Sequence, residues 1–141
     1  MTTTSTPVAK TARPARRRLD RGRKQLLGAS MLVLLGSPMP WVSTPVGQVS
    51  GFLGGGLWTF YAAMLGFAGV LVPFAKASIA QAAILCLAAL GLAGWQVAHV
   101  WNLVGFGGWS PGVGLVFVIG GGALAGAAVR RMLAQLRGVE G

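Results

Sequence analysis

Acid is what this chain most lacks. Its 141 residues include two carboxylates, Asp20 and Glu140, against twelve Lys and Arg. Both acids lie outside every apolar run. Transport coupled to protons or ions uses an ionisable group within the membrane, so coupled antiport is excluded unless a partner supplies the charge. Histidine and cysteine are equally scarce, with His99 and Cys86 the sole examples. A metal site needs three or four ligands, which these two cannot supply, and a haem on His99 alone would lack a second axial ligand. The hydroxyls Ser30, Ser37, Thr59 and Ser78 are scattered, with no span carboxylate to orient a histidine, so no catalytic triad can be assembled. The lone cysteine rules out an internal disulfide and the thiol oxidoreductases that work through cysteine pairs. The residue inventory therefore predicts no catalytic residue, no metal and no cofactor.

Charge as a whole is also low. Charged residues make up 10% of the chain and hydrophobic ones 54%, where a soluble domain has roughly 25% charged residues. A surface that poor in charge belongs against lipid or against other protein. The 23 glycines follow no fixed period, which excludes collagen, and their abundance suits membrane helices.

What charge there is stands mostly at the start. Eight of the twelve basic residues (Lys10, Arg13, Arg16, Arg17, Arg18, Arg21, Arg23 and Lys24) fall in residues 1–24. That segment has too little apolar surface to offset its ordering entropy and is expected to be a disordered, basic cytoplasmic tail. It reads as a topology signal or as a contact for anionic headgroups, to which each basic side chain contributes on the order of 1 kcal/mol. Nucleic acid is not expected as a partner, because no aromatics are interleaved for base stacking. A cleaved signal is disfavoured too, since no small-x-small site follows the apolar Leu26–Leu35 run.

Four apolar stretches follow, at about residues 26–42, 57–74, 77–104 and 112–129. They predict an all-α fold, a four-helix transmembrane bundle with antiparallel up-down topology over residues 25–135, and a short C-terminal tail over 136–141. The first stretch is the weakest. It reaches roughly 25 Å against a ~30 Å hydrocarbon core, and Pro38 and Pro40 distort its end, with Trp41 expected in an interfacial belt. The connection at 43–56 is an uncharged, turn-rich loop, and Gly54-Gly55-Gly56 is no phosphate loop, since no Lys-Ser/Thr follows. In the second stretch Thr59, Ala62, Gly66 and Gly69 share one helix face. In the fourth, Gly122 and Gly126 form a GxxxG with Gly121, Ala125 and Ala128 beside it. Small-residue faces of this kind let membrane helices approach closely. Lys76 is placed in the tight turn between stretches two and three, and Pro111 in the first turn of the last helix.

The third stretch carries Ser78, Gln81, Gln96, His99 and Asn102 within one arc of about 120°. This polar face is expected to turn toward the other helices. Gln96, His99 and Asn102 then have two readings: interhelical hydrogen bonding, or a contact site for a ligand or a partner subunit.

Basic residues sit at the N-terminus, at Lys76 and at Arg130, Arg131 and Arg137, and the other two connections carry none. The positive-inside rule puts both termini in the cytoplasm and the uncharged loops outside. Arg16, Arg17, Arg18, Arg21, Arg23, Lys24, Lys76, Arg130 and Arg131 are thus the expected topology and headgroup residues. Functionally, the chain reads as a small non-enzymatic accessory or scaffold subunit that packs against a larger membrane complex or against itself. A passive pore or a holin-like oligomer is the alternative.

The basic-led first helix ending in Pro40-Trp41-Val42, with Gly51 and Leu57-Trp58 opening the second, resembles small four-span proteins common in high-GC Gram-positive bacteria. The resemblance covers residues 26–74. It implies a plasma-membrane bundle and lends no catalytic residue.

Overall fold

A computed structural model describes residues 19–105 and 107–139. The described chain is mostly helical, with helices α1 (Arg21–Gly36), α2 (Gly56–Leu71), α3 (Ala75–Val104) and α4 (Val113–Val139). Strands β1 (Pro40–Thr44), β2 (Gly47–Ser50) and β3 (Ser110–Pro111) and a 3-10 turn at Gly51–Leu53 complete it. The expectation of an all-α fold is therefore corrected: a small antiparallel sheet of order β2-β1-β3 sits among the helices.

Proline explains the first difference. Asp20 caps α1, its side chain accepting from the Arg21 amide at 2.8 Å, so residues 21–24 are helical and do not belong to a tail. At the other end Pro38 and Pro40 have no N–H to donate, and the helix stops at Gly36 instead of reaching residue 42. The Gly36 carbonyl, which the amide of residue 40 would have met, accepts the indole N–H of Trp41 at 3.0 Å. Trp41 is consequently 1% exposed and not in an outer belt. After it the chain turns through Pro45-Val46 and returns, pairing Val42 with Val49 and Thr44 with Gly47. β3 pairs Val42 with Pro111 and Ser43 with Ser110, so Pro111 lies in a strand and not in the first turn of α4.

α2 ends before Pro73 by the same logic. Gly69 loses the partner that the amide of residue 73 would have been, and Ser78 Oγ donates to its carbonyl at 2.7 Å from α3. Lys76 is the second residue of α3, not part of the turn. α4 continues as helix through Arg130, Arg131 and Arg137, so residues 136–139 are helix and not a separate tail.

Neighbouring helices all run antiparallel, in the ring α1-α2-α3-α4. Ser37 meets Thr59 across α1 and α2. A Cβ on Gly69 would lie 2.8 Å from Gln81 Oε1 across α2 and α3. One on Gly126 would lie 3.2 Å from Cys86 Sγ across α3 and α4, and one on Gly22 would lie 2.6 Å from Met132 Cγ across α4 and α1. This register gathers Arg21, Arg23, Lys24, Lys76, Arg130 and Arg131 at one end and the sheet at the other.

The core is built of small side chains: Ala29, Ser30, Ala63, Ala82, Ala89, Ala93, Ala125 and Ala128 are buried, with Leu26, Val33, Leu85 and Val118 between them. Large apolar residues point outward on every helix, among them Met31, Tyr61, Leu87 and Ile119. α3 and α4 are each long and apolar enough to cross a membrane, and only 28% and 39% of their most apolar windows are buried. α1 and α2, of 16 residues each, reach roughly 24 Å.

Candidate functional site

The small-residue stripe of α2 lies at the centre of the bundle. Thr59, Ala62, Gly66 and Gly69 are all buried. Gly66 faces Ser30 of α1 and Leu85 of α3, and a Cβ there would come within 2.8 Å of Leu85 Cδ2. On α4 the glycines divide between two neighbours. Gly121 faces Val33 and Ala29 of α1, whereas Gly122 faces Ala89 and Leu90 of α3, and Gly126 faces Cys86. These positions hold helices together, and Ala62 also borders a groove between α2 and α3.

The four hydroxyls of the bundle, Ser30, Ser37, Thr59 and Ser78, are fully buried. Ser30 and Ser37 donate to the carbonyls of Leu26 and Val33, four residues back, at 2.9 and 2.7 Å. Thr59 reaches the Gly56 carbonyl at 2.9 Å and Ser37 Oγ at 2.8 Å. A side-chain hydroxyl has one proton, so Ser37 and Thr59 share two protons among three contacts, one of them donating to the other or to its carbonyl, while Ser30 is occupied by its backbone acceptor. They bond helices and, among the described residues, stand beside no base.

The polar arc of α3 does not turn inward as a whole. Ser78 is buried and Gln96 half-buried, but His99 and Asn102 are exposed. The cause is length. α3 has 30 residues and α2 only 16, so at 1.5 Å per residue α3 outruns its neighbour by roughly 20 Å. Gln96 lies beside the turn before α2, where a Cβ on Gly54 would stand 3.1 Å from its Oε1. His99 stacks on Trp95, ring centroids 6.2 Å apart and planes 12° from parallel. The three residues of the candidate contact site thus follow one projecting helix end, with no pocket enclosing them.

Concave surfaces occur elsewhere among the described residues. A 490 Å³ groove between α2 and α3 is lined by Trp58, Tyr61, Leu65, Ile84 and Leu92. Its walls are almost entirely apolar. A smaller one of 290 Å³ lies beside the sheet, among Ser43, Thr44, Pro45, Trp109 and Ser110. Neither holds a titratable pair, and among the described residues no three His, Cys, Asp or Glu come together.

The basic end is the strongest electrostatic feature. Arg23 is engaged within the chain. Its guanidinium donates to the carbonyls of Val70 and Pro73 at 3.4 and 3.3 Å, where the C-terminal end of α2 favours a cation. Arg21, Lys24, Lys76, Arg130 and Arg131 are exposed. Arg16, Arg17 and Arg18 lie outside the described residues. Sequence reasoning missed the proline-linked partners Trp41 and Ser78, although Pro40 and Pro73 mark which carbonyls need them. Comparison with protein-family models, with curated proteins and with solved structures finds no match for the chain.

Proposed function

We propose that this chain is a four-span integral membrane protein of the plasma membrane, both termini cytoplasmic, acting as a non-enzymatic accessory or scaffold subunit. The observation that carries the reading is the distribution of side chains: alanine, glycine and serine predominate inside, with a few large residues such as Leu26, Trp41, Leu85, Leu115 and Met132, while many leucines, methionines and aromatics point outward. Water-soluble bundles place large apolar residues in the core, whereas helices in lipid associate through small residues. The gathering of basic side chains at one end supports cytoplasmic termini. The shortness of α1 and α2 fits a crossing completed by residues 37–56, whose backbone is largely paired in the sheet or capped, as lipid requires. The resemblance of residues 26–74 to small four-span proteins points the same way.

A subunit role follows from what the bundle offers a partner. It has no reactive cluster among the described residues, a broad apolar circumference and a projecting α3 end bearing Trp95, Gln96, His99 and Asn102. The interior is filled by close helix contacts, so a pore would have to form between copies. Crosslinking in native membranes, followed by purification of the full chain and mass spectrometry, tests the proposal. Recovery of a stoichiometric membrane partner or a defined homo-oligomer is expected. A strict monomer with no crosslinked partner sinks the subunit role, and release by alkaline carbonate sinks the membrane reading itself.

A further inference from the structure

The contact between α1 and α4 carries one stripe from each helix. On α1, Arg21, Gln25 and Gly28 follow at spacings that share a face, and on α4 Gly120, Leu124, Arg131 and Gln135 do the same. The stripes meet at two heights. A Cβ on Gly28 would lie 3.5 Å from Leu124 Cδ2, and Gln135 Nε2 donates to Asp20 Oδ1 at 3.0 Å. Arg21 and Arg131 therefore flank one seam at the basic end, with Gln25 between them.

Among the described residues the seam carries more positive charge than negative. Neither arginine side chain, nor that of neighbouring Lys24, forms an ion pair among the described residues. Asp20 is the acid there, and its Oδ1 already accepts from the Arg21 amide and from Gln135. The N-terminus of α1 and the C-terminal part of antiparallel α4 meet here, so their dipoles oppose each other and the side chains set the local charge. Farther from the basic end the seam becomes apolar, and at Gly120 nothing stands within 4 Å of where a Cβ would be. The result is a cationic mouth beside an open, apolar stretch of helix surface at Leu124 and Gly120.

We infer that this seam is a binding site for an anionic phospholipid of the cytoplasmic leaflet. Its phosphate lies between Arg21 and Arg131, and one acyl chain follows Leu124 and Gly120. Charge complementarity selects the occupant, because a zwitterionic lipid brings its own cation to the mouth. The inference rests on the membrane reading above, and it places the headgroup at one seam where diffuse attraction would spread it over the whole basic end.

The test titrates the full chain in detergent with phosphatidylglycerol or phosphatidylcholine and reads bound lipid by native mass spectrometry. One phosphatidylglycerol is expected to be held in preference to phosphatidylcholine. At about 5-fold per basic side chain, the double variant Arg21→Gln/Arg131→Gln lowers its affinity about 25-fold. The equally charged Lys76→Gln/Arg137→Gln stays near the parent value. Gly120→Leu, which occupies that open surface and alters no charge, also weakens binding. Equal losses from the two double variants, equal retention of both lipids, or displacement by inorganic phosphate at matched ionic strength would each overturn the site. The membrane reading is scored separately, by retention of the unsubstituted chain in carbonate-washed membranes.

Discussion

The indole nitrogen of Trp41 stands 3.0 Å from the Gly36 carbonyl, in the role that the amide of residue 40 would fill were it not proline. Ser78 does the same for Gly69, the carbonyl left open by Pro73. A buried carbonyl stripped of its donor costs about 1–3 kcal/mol. Trp41→Phe and Ser78→Ala are accordingly expected to destabilise the bundle by that amount each, with Trp41→Phe also leaving most of the ring's packing in place. Unfolding in mixed micelles measures both. Unchanged stability in either variant would mean that water or another donor reaches the carbonyl.

Glycine substitutions separate contact from composition. A Cβ on Gly121 would stand 2.6 Å from Val33 Cγ2, and one on Gly66 2.8 Å from Leu85 Cδ2, while Gly91 and Gly120 have open space. Gly66→Ala and Gly121→Ala are expected to cost about 1–3 kcal/mol through overpacking. Gly91→Ala and Gly120→Ala are expected to stay within about 0.5 kcal/mol of the parent. Four equal results would show that the helices do not meet where the bundle places them.

The helices were legible because long apolar runs leave few alternatives. The boundaries of α2 and α3 were also close, since Pro73 marks a stop by its missing N–H. The sheet was not legible. β1, β2 and β3 have five, four and two residues, too short to show alternation, and β2 lies in a stretch rich in glycine, proline and hydroxyls that reads as turn. Trp41 was misplaced because an aromatic after an apolar run fits a membrane interface as well as it fits a core. Only the local need of the Gly36 carbonyl separates the two. The polar arc of α3 was drawn correctly as an angle, but burial also depends on how far the neighbouring helices extend. That quantity appears only once α2 is seen to stop at 16 residues.

Tryptophan exposure gives a direct test of what surrounds the bundle. Trp58 and Trp95 are each 69% exposed on α2 and α3, and Trp41 is 1% exposed. In single-tryptophan variants reconstituted with brominated phospholipid, fluorescence of Trp58 and Trp95 is expected to be strongly quenched and that of Trp41 to persist. Quenching of all three alike would place Trp41 against lipid. If acrylamide in water quenches Trp58 and Trp95 and brominated lipid does not, the outward apolar faces are not membrane-embedded.

Sidedness is the remaining consequence. Val46 lies at the tip of the β1-β2 turn and is 97% exposed, whereas Lys76 is an exposed residue in the first turn of α3 at the opposite end of the bundle. In a Cys86→Ala background, Val46→Cys is expected to react with a membrane-impermeant maleimide added to intact cells. Lys76→Cys is expected to react only after the cells are opened. The native thiol must go first, because Cys86 is partly exposed beside Gly126 and would give its own signal. The same pattern requires a reporter fused after Gly141 to be cytoplasmic, since α4 runs from the sheet end to the basic end. Labelling of both cysteines from outside would show that α2 does not cross the membrane. Labelling of Lys76→Cys alone from outside would invert the protein and remove the charge asymmetry as the cause of its orientation.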